Sequence, residues 1–157
     1  HIASYHPCAQ TTGEWFYERS WEGVYSGFDE ATRAGFAQWV EARYGTVEAL
    51  RAAWRMPDVS FDSVRVPTTE ERDASAAGMF RDPATERFVI DFYAYQQDAV
   101  ADAIEHASRI IKEASGGRKA VTVFHGYLSS CQDCPRVLLP AAIWPWVVCS
   151  SRRMWTS

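Results

Sequence analysis

With 157 residues, 47% of them hydrophobic and 23% charged, the chain has room for one ordinary domain with a real core. It is too short for a complete eight-fold βα barrel, which takes about 250 residues. A net charge of −4 with no basic block leaves no electrostatic footprint for nucleic acid, and no apolar run approaches the roughly 18 residues that span a bilayer.

Residues 1–6 alternate like the end of a strand, closed by Pro7. Cys8 to Phe28 has no sustained period and is rich in Gly, Thr, Ser and aromatics, which marks a long functional loop. Asp29 then reads as an N-cap. Phe36, Trp39, Val40 and Tyr44 follow on one helical face, and Gly45 stops the helix. Thr46 caps a second, short helix carrying Val47, Leu50 and Trp54. Pro57 to Gly78, with two prolines and scattered charges, reads as a connecting excursion.

The clearest element follows. Asp82 caps, Pro83 takes the first helical position, and the pattern runs to Ser115 before Gly116-Gly117. Phe88, Phe92, Tyr95, Ala99, Ala103 and Ile110 form a stripe that neighbouring apolar residues widen, as in a helix packed on two sides. Lys119 to Phe124 then reads as a buried parallel strand that opens into a polar loop at His125. Loop, helix, strand, loop in this order is a βα repeat, which makes the fold class α/β.

Residues 129–157 differ from the first 128. They hold three of the four cysteines and three of the seven tryptophans, but only one of the twenty acidic residues, Asp133. No cap, heptad or alternation organises them, so an irregular tail is expected. Together with the Met-less start, this composition shift suggests a broken gene end read out of frame. Cys131 and Cys134 form a CxxC pair, yet tetrahedral zinc needs two further ligands, and Cys149, His6, Cys8 and His125 are poorly spaced for it. Neither a metal nor a cofactor is expected.

The run Phe36-x-x-Trp39-Val40-x-x-x-Tyr44-Gly45-Thr46-Val47-x-Ala49-Leu50-x-x-x-Trp54 resembles the segment after the fourth barrel strand in family 42 glycoside hydrolases, the bacterial β-galactosidases. The resemblance covers about residues 1–128. It implies a partial (β/α)8 TIM barrel, from the end of strand four through strand five. It also implies a carbohydrate substrate and a parent that assembles as a homotrimer through a later domain. With no signal peptide in view, a cytoplasmic location is expected. In that family the acid/base glutamate stands just before this helix, usually as Asn-Glu. Here the place is filled by Gly13-Glu14, so the glutamate matches and a different sugar preference is implied by the glycine.

Retaining glycoside hydrolysis needs two carboxyl groups about 5–5.5 Å apart, one of them protonated toward the leaving oxygen. Glu14, followed by Trp15, Phe16 and Tyr17, is the first candidate, with Glu18 and Glu22 as rivals. Glu105 and Glu113 are expected to face outward on the long helix. The resemblance puts the nucleophile on strand seven, beyond this chain, so the isolated fragment is expected to be inactive. Trp15, Trp21 and Tyr25 are candidate sugar-stacking rings, each equally readable as a loop anchor. His125, at the strand end where barrel sites form, is a candidate for hydrogen bonding a sugar hydroxyl. The alternative is a non-catalytic module of related fold that binds carbohydrate or a protein partner.

Overall fold

The computed structural model describes residues 1–9, 14, 15, 17, 24–75 and 81–124. Trp21, His125 and the whole of 129–157 lie outside the described residues. The elements in chain order are β1 (Ser4–Tyr5), α1 (Glu30–Tyr44), α2 (Val47–Trp54), a 3-10 turn (Phe61–Ser63), α3 (Thr69–Asp73), α4 (Arg87–Ala114) and β2 (Ala120–Val121). This is a helix-rich chain with a small parallel sheet, compatible with the α/β class. Two compact units divide it inside α4: Tyr25–Tyr95 forms one, and residues 1–24 with 96–157 form the other.

In the Tyr25–Tyr95 unit, local chemistry sets the helix ends. The Asp29 carboxylate accepts from Thr32 N at 2.9 Å and so holds an otherwise unpaired amide of the first turn of α1. Gly45, at φ 69°, closes α1 in the left-handed region that side chains avoid. One residue on, Thr46 Oγ1 accepts from Ala49 N at 3.2 Å to start α2. Thr68 and Glu71 cap α3 reciprocally, and Glu71 also takes a two-pronged contact from Arg65 at 2.6 and 2.7 Å.

The apolar faces of α1, α2 and α4 meet in one core, built from Phe36, Val40, Leu50, Trp54, Val64, Phe88, Val89, Phe92 and Tyr93. Phe36 is at its centre: its ring lies 5.1 Å from Phe92, edge to face, and 6.0 Å from Trp54. Burial of such a ring contributes roughly 1.5–3 kcal/mol. Gly35 permits the close approach of α4, because a Cβ there would run into the Tyr95 hydroxyl.

Three expectations need correction. The long helix starts at Arg87, not at Pro83. Asp82 caps a separate turn, accepting from Ala84 N through its carboxylate and from Thr85 N and Glu86 N through its carbonyl, and this turn leads directly into α4. Two-sided packing holds only for the first half of α4. Phe88, Val89, Phe92, Tyr93, Gln96 and Gln97 are buried, whereas Ala103 is exposed and Ile110 is 51% exposed. Finally, β2 is parallel as expected but not buried. Its only ladder partner among the described residues is β1, whose two residues are both exposed.

In the other unit, Gly116 and Gly117, at φ 57° and 74°, end α4, and Gly117 N reaches back to Lys112 O at 2.8 Å. The chain then enters β2, with Ser4 opposite Ala120 and Tyr5 opposite Val121. Two lysines secure this return: Lys112 Nζ donates to Lys119 O at 2.8 Å, and Lys119 Nζ donates to Ile2 O at 2.6 Å.

Candidate functional site

Glu14 stands where the two parallel strands end. It forms an isolated parallel bridge with Phe124, three residues past Val121. Continued from Tyr5 opposite Val121, the register would set Cys8 opposite Phe124. Glu14 is there instead, so β1 gives way to a stretch with six residues more than an unbroken ladder would hold. The half-buried glutamate thus rejoins the sheet at the carboxyl end of both strands. That end is where α/β folds gather their reactive groups, since the loops leaving parallel strands converge there.

Trp15 fixes the position of that glutamate. Its backbone N–H donates to Phe124 O at 3.1 Å, and its indole Nε1–H donates to Pro7 O at 2.8 Å. The same residue therefore ties the chain after Glu14 to the end of β2 and to the turn that closes β1. His6 lies against Phe124, ring centroids 4.9 Å apart, so the strand ends carry an aromatic pair beside the bridge.

Tyr25 belongs to the other unit. Its hydroxyl donates to Asp73 Oδ1 at 2.6 Å, and its ring lies 5.5 Å from the guanidinium of Arg72. Burial, and then the bond to Asp73, push its pKa well above the ordinary tyrosine value. Arg72 is itself buried. It donates from Nε to Pro67 O at 3.1 Å and from Nη1 to Ser26 O at 2.8 Å, and it also contacts the rings of Phe28 at 4.5 Å and Phe92 at 4.4 Å. Arg81 follows this pattern, donating to Ala74 O at 2.6 Å, to Arg72 O, and to Glu86 Oε1 at 2.8 Å.

Sequence reading passed over Asp91, the most enclosed carboxylate among the described residues, at 0% exposure. Its Oδ2 accepts from Trp54 Nε1 at 2.8 Å and from the Tyr44 hydroxyl. Its Oδ1 faces Arg87 Nε at 3.0 Å and Arg43 Nε at 3.7 Å, so two guanidinium groups offset its charge. These partners come from α1, α2 and α4, which makes Asp91 a bolt through the unit rather than a group open to substrate. Glu105 and Glu113 are exposed on α4, as expected. Among the described residues no three His, Cys, Asp or Glu side chains gather to hold a metal ion, and no helix is long and apolar enough to cross a membrane.

The strand pair places the Glu14 carboxylate at its carboxyl end, and comparison with known proteins gives the family. The family model described as beta-galactosidase, glycoside hydrolase family 42, matches residues 18–137, about three quarters of the chain. The chain belongs to this family. The match starts four residues beyond Glu14 and extends nine residues past 128. No curated protein and no solved structure matches the chain.

Proposed function

We propose that this chain is the middle section of a retaining glycoside hydrolase acting on β-galactosides or related β-glycosides, with Glu14 as its general acid and base. The observation that carries this reading is the bridge between Glu14 and Phe124 at the carboxyl end of β1 and β2. It supports β1 and β2 as neighbouring strands, four and five, of a (β/α)8 barrel. Membership of the beta-galactosidase family supports the reaction class.

In the first half-reaction, the Glu14 carboxyl gives its proton to the glycosidic oxygen as the bond to the anomeric carbon breaks. A second carboxylate, on a strand beyond this chain, attacks that carbon and forms a glycosyl ester. In the second half-reaction, the Glu14 carboxylate takes a proton from water, whose oxygen attacks the same carbon and frees the sugar. Trp15 holds Glu14 at the strand end throughout, through its bonds to Pro7 and Phe124. The 157-residue chain supplies one carboxylate of the pair, so alone it does not turn over substrate. A trimeric, cytoplasmic parent completes the proposal.

The test is Glu14→Gln in the enzyme expressed from the complete reading frame. Hydrolysis of β-galactosides with poor leaving groups should fall by about 10²–10⁴-fold. Azide should restore turnover of activated aryl β-galactosides, because it attacks the glycosyl ester without needing a base. Unchanged activity would remove Glu14 from the mechanism and move the role to Glu18 or Glu22. Turnover of aryl β-galactosides by the 157-residue chain alone would overturn the split between two sections.

A further inference from the structure

We propose that His6 is a positioning residue for Glu14, acting through the ring of Phe124; this rests on the acid and base role proposed above for Glu14. The pairing of Tyr5 with Val121 sets His6 opposite Thr122, and Thr122 N donates to Tyr5 O at 3.0 Å. Glu14 takes up the ladder two places further on, opposite Phe124. Residues two places apart on a strand share a face, about 6.6 Å apart along its line. His6, Glu14 and Phe124 therefore belong to one side of the strand pair. The contact of His6 with Phe124, 4.9 Å between ring centroids, is a diagonal neighbour contact on that side.

Four residues close a circuit beside the glutamate. His6 runs into Pro7 along the chain, and Pro7 O accepts from Trp15 Nε1 at 2.8 Å. Trp15 N donates to Phe124 O at 3.1 Å, and the Phe124 ring returns to His6. Glu14 is joined to this circuit twice, by its peptide bond to Trp15 and by its bridge to Phe124. The imidazole closes the circuit: without it, Pro7 and Phe124, the two anchors of Trp15, move independently of each other. Proline also fixes the imidazole's direction, since the residue before it is confined to extended backbone. Both rings stand at the surface, Phe124 at 58% exposure, so the pair adds little to a core and its consequence is geometric. Proton transfer depends steeply on that geometry, because the carboxyl must meet the glycosidic oxygen within hydrogen-bond reach.

The test compares two aryl β-galactosides, one with a good leaving group and one with a poor one, in the enzyme expressed from the complete reading frame. Only the poor leaving group needs the Glu14 proton as its bond breaks, so a misplaced acid slows that substrate selectively. His6→Ala should lower kcat/KM for the poor leaving group about tenfold, through kcat rather than KM, and for the good one less than about twofold. His6→Asn, polar but without an aromatic ring, should repeat this result. His6→Phe keeps a ring against Phe124 and should restore at least about half of the parent rate. In a Glu14→Gln background, His6→Ala should bring no further loss, since no acid remains to be positioned. Equal losses with both leaving groups, parent activity in His6→Ala or His6→Asn, no rescue by His6→Phe, or a further loss in the Glu14→Gln background each overturns the positioning role and leaves Glu14 in its own. Unchanged hydrolysis in Glu14→Gln by itself overturns the catalytic reading, and the positioning role with it.

Discussion

Trp54 donates its indole N–H to Asp91 Oδ2 across 2.8 Å, joining α2 to α4 through a carboxylate with no solvent access. Tyr44 brings α1 to the same oxygen, and Arg87 and Arg43 offset the charge. Asp91→Ala leaves the Trp54 indole N–H and the Tyr44 hydroxyl without their shared acceptor and Arg87 and Arg43 without their counter-charge. It should destabilise the chain by about 3–5 kcal/mol in urea unfolding. Trp54→Phe removes one donor and should cost about 1–3 kcal/mol. The double variant should cost less than the two single losses together, since both break the same contact. Additive losses would refute the shared contact.

Alkaline pH should loosen the Tyr25–Tyr95 unit. Burial raises the pKa values of Tyr25, Tyr44, Tyr93 and Tyr95, helped at Tyr25 by Asp73 and at Tyr44 by Asp91. A phenol with a higher pKa folded than unfolded holds its proton more tightly in the native state. That stabilisation is complete below about pH 10, the unfolded value, and is lost as pH climbs through the folded values. The urea midpoint should therefore fall steadily above about pH 10. Tyr25→Phe should make the decline shallower, and an unchanged slope would count against its raised pKa.

Trp15→Phe keeps the ring but deletes the bond to Pro7 O. If Trp15 positions Glu14, the full enzyme should lose about 10- to 100-fold in kcat with KM little changed. A raised KM with kcat retained would return Trp15 to the role of sugar-stacking ring.

The parts of the fold legible in sequence are those decided within one helical turn. Asp29, Gly45 and Thr46 act on amides or carbonyls three or four residues away, so residue type alone locates them. Asp82 misled for the same reason: its cap is real, but the turn it starts ends before Arg87 and a new helix begins. The Asp91 bolt was illegible because its partners lie 37 and 47 residues away, and nothing local distinguishes it from a solvated helix aspartate. The expectation for Glu14 came from its neighbours in the family pattern. Its position opposite Phe124, 110 residues on, follows only from the ladder. Arg72 gathers Tyr25 and Phe28 across more than forty residues, which no periodicity announces.

The break in register between Tyr5 and Glu14 makes the two sides of the ladder unequal under insertion and deletion. On the β1 side, chain length is already uncoupled from alignment, and Glu14 is held from Phe124 and Pro7 rather than by its distance from Tyr5. On the β2 side, Val121 and Phe124 lie on one short run, and a single-residue slip turns each following side chain to the opposite face. A library of random indels should therefore recover folded members from the first segment and almost none from the second. Lineages related to this chain would then vary in length before the glutamate and keep a fixed spacing after Val121.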